Sequence, residues 1–419
     1  MSLARKIDEK ELNYWDFSDV VSAGIHKISS YPATMVPDMQ NELIRIIKGE
    51  DKSVQNILDP FHGSGVTLVE GMKNDLTPIG IDINPLANLI TLVKLQGVSK
   101  NQIKFSNNRI INLLYKESFE FEIHDFYNIN KWYREDFIET FSKIRAAIQK
   151  ERYKNIRQYY WVCLINILKK YSNTRSSTFK LHVKTQEDID SMSNDIIEDF
   201  IKNIEKSYVF LPSFVQYNKK SLYIGKAEEI LSEFADGTVD LICTSPPYGD
   251  NSTTVTYGQY SMLPLYWIDK SDLGKFDKQL IANYSSIDSN SLGGNQRVRS
   301  NFESSVLNDF LSRIDDKKQN KVKNFVLDYL NVMTELVRVL KVGKYIVLTL
   351  GDRRVDNQVV PLSTITTEYL ESNGFILEKA ITRNIPKKRM PRKVSKVGGN
   401  SVESMNQEHV LILKKVENR

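Results

Sequence analysis

The chain has 419 residues, of which 41% are hydrophobic, 10% aromatic and 26% charged, a balance that supplies a core and excludes wholesale disorder. Lys plus Arg is 57 against 52 Asp plus Glu, a net charge of +5. That surplus is too small to imply a nucleic-acid partner unless it is clustered. The two cysteines, Cys163 and Cys243, lie far apart in apolar surroundings, which excludes a disulfide framework and a thiolate zinc site. The five histidines (His26, His62, His124, His182, His409) show no ligand spacing. No apolar run reaches the roughly 18 residues of a membrane span. The opening MSLARKIDEKELNYWDF has no signal-peptide core. These features predict a soluble, cytoplasmic protein with no membrane partner. At about 150 residues per domain the chain holds two or three domains, or one large domain with an insertion.

Residues 36–48 place Met39, Leu43, Ile46 and Ile47 on one face of an amphipathic helix. Next come a short strand at Ile57 and Leu58, a glycine turn, a helix at about 66–74 and a strand at 78–83, half of a doubly wound α/β sheet. From about 100 to 215 the sequence is rich in Lys, Glu, Ile and Tyr at helical spacing. Helices are expected near 131–149, 153–171 and 186–207, with the polar stretch 172–184 between the last two. Tyr159, Tyr160 and Trp161 read as helix core. The α/β pattern resumes with a strand at 221–225, a short helix and a buried strand at 239–245. Residues 286–304 read as a loop. A helix near 319–340 ends at Gly343, a strand covers 345–352, and PLSTITTEYLESNG is a helix stopped by Gly374. FILEKAITRNI and HVLILKK form a terminal antiparallel pair around the basic loop PKKRMPRKVSKVGGN. Seven strand candidates result, one more than the basic dinucleotide fold contains.

Two constellations carry chemistry. Asp59-Pro60-Phe61-His62-Gly63-Ser64-Gly65 closes a strand and opens a helix, and its glycines permit a tight turn and close ligand approach. No Lys-Ser/Thr follows, so it is not a phosphate loop, and it lacks the dinucleotide spacing. Asp82 ends the next strand, where an acid can accept both hydroxyls of a ribose. A glycine turn with a ribose carboxylate and no phosphate grip suits S-adenosylmethionine; the bland alternative is a strand–helix turn of any α/β protein. The second constellation is Thr244-Ser245-Pro246-Pro247-Tyr248, after a buried strand. Its prolines stiffen the turn and leave carbonyls and the Ser245 hydroxyl as acceptors beside the Tyr248 ring, an arrangement that can hold an exocyclic amine. The alternative is a Pro-Pro loop whose tyrosine only packs.

Together these residues resemble the amino-group DNA methyltransferases, of the restriction–modification type, which methylate cytosine at N4 or adenine at N6. DPFHGSGVTLVEG resembles their cofactor loop, GIDINP their ribose-binding strand and TSPPYGD their catalytic motif. HKISSYPATMVPDMQNELI, residues 26–44 and including Thr34, resembles the segment that closes over the methionine part. The resemblance covers roughly 20–98 and 218–415. It implies a Rossmann-like seven-stranded methyltransferase sheet whose last strand is antiparallel, here with a helical insertion. It implies a division into a cofactor-binding half (20–99), a helical insertion with a DNA-recognition role (100–217) and a catalytic half (218–415) with a basic loop (386–400). The insertion comes earlier in the chain than is usual in the family. The strand-three turn, Gly225-Lys226-Ala227, lacks the acid often found there. His62 reads as a loop residue rather than a base.

The implied cofactor is S-adenosylmethionine, without a metal, held by Thr34, Asp59, Phe61, Gly63, Gly65 and Asp82. The implied catalytic residues are Ser245, Pro246, Pro247 and Tyr248. Double-stranded DNA is the implied substrate, its target base flipped out onto Tyr248; a cognate restriction endonuclease is the implied partner. Lys387, Lys388, Arg389, Arg392 and Lys393, with Lys396, make the densest basic patch and read as phosphate contacts, or else as a solvated loop. Arg297 and Arg299, and Arg175 and Lys180, are weaker candidates. Serine before the two prolines favours cytosine N4 over adenine N6. Two other readings are an RNA guanine methyltransferase, which usually carries Asp there, and a methyltransferase-like subunit that binds DNA without catalysis.

Overall fold

The computed structural model describes residues 3–417 apart from 12, 22, 176–177, 212–218, 250–253, 295–302, 386–392, 398–399 and 404–406. Seven strands form one sheet: β1 (Asn56–Asp59), β2 (Thr77–Asp82), β3 (Ser221–Ile224), β4 (Val239–Thr244), β5 (Leu340–Gly351), β6 (Phe375–Asn384) and β7 (Gln407–Lys415). Their order is β3-β2-β1-β4-β5-β7-β6. The pairs β1–β2, β2–β3, β1–β4 and β4–β5 are parallel, and β7 runs antiparallel to both β5 and β6. The fold is therefore α/β, a Rossmann-like methyltransferase sheet with its last strand inserted antiparallel. Its seven strands coincide with the seven read from the sequence.

Period-2 alternation decides what each face buries. Leu58, Ile242, Ile346, Leu348, Leu411 and Leu413 share a core with the helices Asp316–Val339 and Leu362–Ser372. Their neighbours Ile57, Leu241, Cys243, Val347, Val410 and Ile412 pack on the opposite side with helix Pro37–Glu50. All six residues of β4 are buried, as a central parallel strand covered on both faces requires. Cys163 and Cys243 are buried free thiols.

The chain between β2 and β3 is helical, as expected, with different boundaries. Its main helices are Pro85–Gln96, Lys100–Tyr115, Glu135–Gln149, Lys154–Lys170 and Ile196–Phe210. The single helix expected near 186–207 is two pieces, Gln186–Asp190 and Ile196–Phe210, divided by Ser-Met-Ser-Asn-Asp, whose short polar side chains compete with the helical backbone. Tyr159, Tyr160 and Trp161 are fully buried. This segment shares one continuous apolar core with Leu89, Ile90 and Val93 of the helix that follows β2.

Three further expectations change. The long helix ends at Val339, and β5 begins at once with Leu340; Gly343, in left-handed backbone at φ 81°, lies inside the strand's irregular start instead of ending a helix. Within the expected loop 286–304, Ser286–Asn290 is helical. Within the expected basic loop, Lys393–Val397 pairs antiparallel with Asn400–Glu403 to form a ribbon. Lys387, Lys388, Arg389 and Arg392 lie outside the described residues, as do Arg297 and Arg299, and Lys393 is described in its backbone alone. No described helix is long and apolar enough to cross a membrane.

Candidate active site at the carboxyl end of the sheet

The carboxyl ends of β1, β2, β4 and β5 and the amino end of the antiparallel β7 open onto one cavity of about 1280 Å³. Ordinary small-molecule sites span roughly 300–1,000 Å³, so there is space for more than one ligand group. Phe61, Gly63 and Asp82 line one side and Ser245, Pro246, Pro247 and Tyr248 another. Tyr31, Thr34 and Met35 come from the segment before helix Pro37–Glu50. Two motifs about 185 residues apart in the chain (Asp59 to Thr244) thus meet through the β1–β4 pairing.

The cofactor-type loop is held by its own acids. Asp82 accepts the Gly63 N–H at 2.8 Å through Oδ2 and the Asn84 N–H at 2.8 Å through Oδ1. Each oxygen keeps a lone pair for a ligand hydroxyl. Asp59 lies fully buried behind the cavity wall. Its Oδ1 accepts the Thr244 hydroxyl at 2.6 Å and the Phe61 N–H at 3.1 Å, tying the first motif to the second. Burial pushes the Asp59 carboxyl up to about 7, and its Oδ2 has no hydrogen-bond partner among the described residues. His62 is buried too, and burial lowers its pKa, so the ring is neutral at physiological pH. Its Nδ1 lies 3.0 Å from the Gly63 carbonyl.

Gly65 does not line the cavity. It has φ 75°, and a Cβ there would come within 2.6 Å of Thr91 on the helix behind. Helix packing and a left-handed backbone therefore require the glycine, where the sequence suggested ligand access. Beneath the loop, Lys94 is buried and donates to the Ser64 carbonyl at 2.6 Å. Burial pushes its ammonium down to about 7.

Further groups complete the wall beside the glycine turn and the Ser-Pro-Pro-Tyr turn. Tyr31 stacks on Tyr257 (centroids 5.8 Å, 22°) and accepts from Asn84 Nδ2 at 3.0 Å, walling the glycine turn with aromatic surface. Although the strand-three turn lacks an acid, Glu228 and Asp328 reach the same part of the cavity, and burial raises both carboxyls. The Ser245 Oγ lies 2.9 Å from the Tyr248 hydroxyl, which donates to Glu408 Oε1 at 3.2 Å. Glu408 also takes Arg383 Nη1 at 2.6 Å. The helical segment packs behind the wall: Asn166 accepts the Ser30 hydroxyl at 2.6 Å, next to the lining Tyr31, and Leu181 donates to Gln259 at 3.0 Å, two residues from the lining Tyr257. Among the described residues no group of three His, Cys, Asp or Glu could hold a metal ion.

Strand order and cavity together agree with the Rossmann-like methyltransferase fold that the sequence resembles. No family model matches the chain. The type II methyltransferase M.MvaI of Kocuria varians is 29% identical over 450 residues, covering 100% of this chain and 97% of that protein. The type II methyltransferase M.MjaII of Methanocaldococcus jannaschii is 34% identical over 109 residues, 24% of this chain and 20% of its own. Among solved structures, the rRNA methyltransferase aviRa of Streptomyces viridochromogenes aligns over 94% of this chain and 92% of its own, with TM-score 0.30 and 10% identity. A Thermus thermophilus protein assigned as a DNA modification methylase, in complex with S-adenosyl-L-methionine, aligns over 46% of this chain and 55% of its own, with TM-score 0.24 and 17% identity. Similarity to the type II methyltransferase M.MvaI thus runs the whole length of the chain, residues 100–217 included.

Proposed function

We propose that this protein is a site-specific DNA methyltransferase that transfers a methyl group from S-adenosylmethionine to N4 of cytosine. The observation that carries the reading is the meeting of the Ser245-Pro246-Pro247-Tyr248 turn and the Gly63–Asp82 loop across one cavity. Whole-length similarity to a type II methyltransferase supports DNA as the substrate. A cognate restriction endonuclease that cuts the same unmethylated site is the partner this reading implies, with both working in the cytoplasm.

The chain divides on this reading into a cofactor-binding half (20–99), an insertion that takes part in DNA recognition (100–217) and a catalytic half (218–415). The residues fit the cofactor through Phe61, Gly63 and Asp82, which line the cavity, whereas Asp59 lies behind its wall and serves by tying the loop to Thr244. Asp82 holds the ribose, Phe61 the adenine, Gly63 the close approach of the backbone, and Thr34 the methionine side. Gly65 serves the loop by fixing its turn. The bound cofactor brings a methyl already activated by its sulfonium.

The poor reactant is the base amine, whose lone pair is delocalised into the ring. Ser245 Oγ and the Pro246 carbonyl accept its two N–H groups and draw the nitrogen towards a tetrahedral shape, while Pro247 keeps the turn rigid. Catalysis is then positioning and oriented dipoles. The target must leave the duplex to enter the cavity, with Tyr248 as its stacking partner. Lys387, Lys388, Arg389, Arg392 and Lys393 supply sequence-independent phosphate contacts.

Serine in place of an acid before the prolines favours cytosine N4 over adenine N6. Mass spectrometry of nucleosides from DNA methylated by the protein tests this directly. N4-methyl-2′-deoxycytidine as the sole product is the expected result. N6-methyl-2′-deoxyadenosine would overturn the base assignment and leave the transfer to DNA standing.

A further inference from the structure

We propose that Glu408, acting through Tyr248, is a positioning residue that fixes the Ser245 hydroxyl as a hydrogen-bond acceptor and then takes the proton that the target amine sheds. This inference rests on the reading that Ser245 meets the amine.

The argument counts protons. Glu408 is paired with Arg383 at 2.6 Å and as a carboxylate can only accept. Tyr248 has one hydroxyl proton, and it goes to Glu408 Oε1 at 3.2 Å. The Tyr248 oxygen must then accept in its 2.9 Å contact with Ser245 Oγ, so Ser245 is the donor there. Ser245 also has only one hydroxyl proton. Facing the cavity it therefore offers lone pairs alone, which is what an amine N–H needs. Without Glu408 the Tyr248 proton can turn towards Ser245, and the Ser245 proton can then turn towards the amine and repel it.

The same chain accounts for the product proton. As the target nitrogen forms its bond to the methyl carbon, the methyl–sulfur bond breaks and sulfur keeps the electron pair. The nitrogen is left with one proton too many. That proton passes to Ser245 Oγ as the Ser245 proton passes to Tyr248 and the Tyr248 proton passes to Glu408. The carboxylate ends neutral, the amine ends neutral, and both hydroxyls are restored. Burial holds the Tyr248 phenol well above its usual pKa, so it acts as a conduit and stays protonated between turnovers. The Glu408 side chain is 16% exposed, against 4% for Arg383, which gives the proton an exit to solvent.

Single-turnover methylation by Tyr248→Phe, Glu408→Gln and the double variant tests the proposal. Tyr248→Phe keeps the ring and removes only the hydroxyl. It should slow methyl transfer at least tenfold while cofactor affinity and the 2-aminopurine signal of base flipping stay at wild-type levels. Glu408→Gln keeps an acceptor for Tyr248 but binds no proton, and should slow transfer similarly. The double variant should be no slower than the slower single, because both interrupt one chain. Tyr248→Phe within twofold of wild type would overturn the proposal, whether or not Glu408→Gln folds. Absence of methyl transfer to DNA by the wild-type protein would instead overturn the function beneath it.

Discussion

Replacing Asp82 with alanine separates a ligand-binding role from a structural one, because this carboxylate has partners of both kinds within reach. In the protein it accepts two backbone N–H groups, from Gly63 and Asn84, each at 2.8 Å. Its remaining lone pairs face the cavity. Hydrogen bonds to a charged group contribute about 1.5–3 kcal/mol. Losing the ribose contacts should therefore weaken S-adenosylmethionine binding roughly ten- to hundredfold, at about 1.4 kcal/mol per decade. The loop cost is smaller, because Gly63 borders an open cavity where water can replace the lost acceptor. A fall in melting temperature of about 1–3 °C is expected, since a chain of this size spreads each kcal/mol over a large unfolding entropy. Titration calorimetry and thermal unfolding of the same preparation give both numbers. Unchanged affinity with a lowered melting temperature would refute the ribose role and leave Asp82 as an anchor of the glycine turn.

Gly65→Ala should destabilise the protein without cofactor by about 1–3 kcal/mol, through overpacking against Thr91 and a strained positive φ. Thr91→Ala in the same chain should recover part of the loss; denaturant midpoints with no recovery would mean that Thr91 is not the obstacle. Lys94 gives a pH signature. Burial lowers its folded pKa to about 7, so between about 7 and 10.5 the folded form binds fewer protons than the unfolded form and stability rises with pH. Lys94→Met should flatten that rise in denaturation curves taken across the window, and an unaltered slope would remove Lys94 as its source.

What could be read from the sequence follows from how local each signal is. All seven strands were legible because each is a short apolar run bounded by turn residues. The glycine loop and the Ser-Pro-Pro-Tyr turn were legible because each is contiguous. The helix Tyr257–Trp267 left no such trace: it carries Pro264 in its interior and buries most of its circumference, so it shows a breaker and no amphipathic period. The ribbon Lys393–Val397/Asn400–Glu403 is not among the strands read from the sequence, although Gly-Gly between extended residues is a two-residue hairpin signal, because the density of positive charge reads as a phosphate-contacting loop. Gly65 was legible as necessary, but Thr91, the reason for the need, lies 26 positions away on another element.

Glu408 shows why a site can be complete in space and incomplete in sequence. Parallel strands present their carboxyl ends at one edge, so motifs just after β1, β2 and β4 were the places to look. The antiparallel β7 enters that edge with its amino end instead. The register sets Glu408 opposite Gly351 of β5 and Arg383 of β6, and alternation turns Glu408 and His409 to opposite faces. His409 meets Asp352 at 3.0 Å, whereas Glu408 meets Arg383 and Tyr248. A partly buried pair such as Arg383–Glu408 is a poor way to gain stability, since desolvation offsets much of the attraction. An ion pair with so little net return, placed one hydroxyl away from the Ser245 turn, is better explained by the polarity it imposes on that turn than by the sheet it joins. The same energetics make Tyr248→Phe the cleaner perturbation, because it cuts the hydroxyl chain while leaving both charges paired.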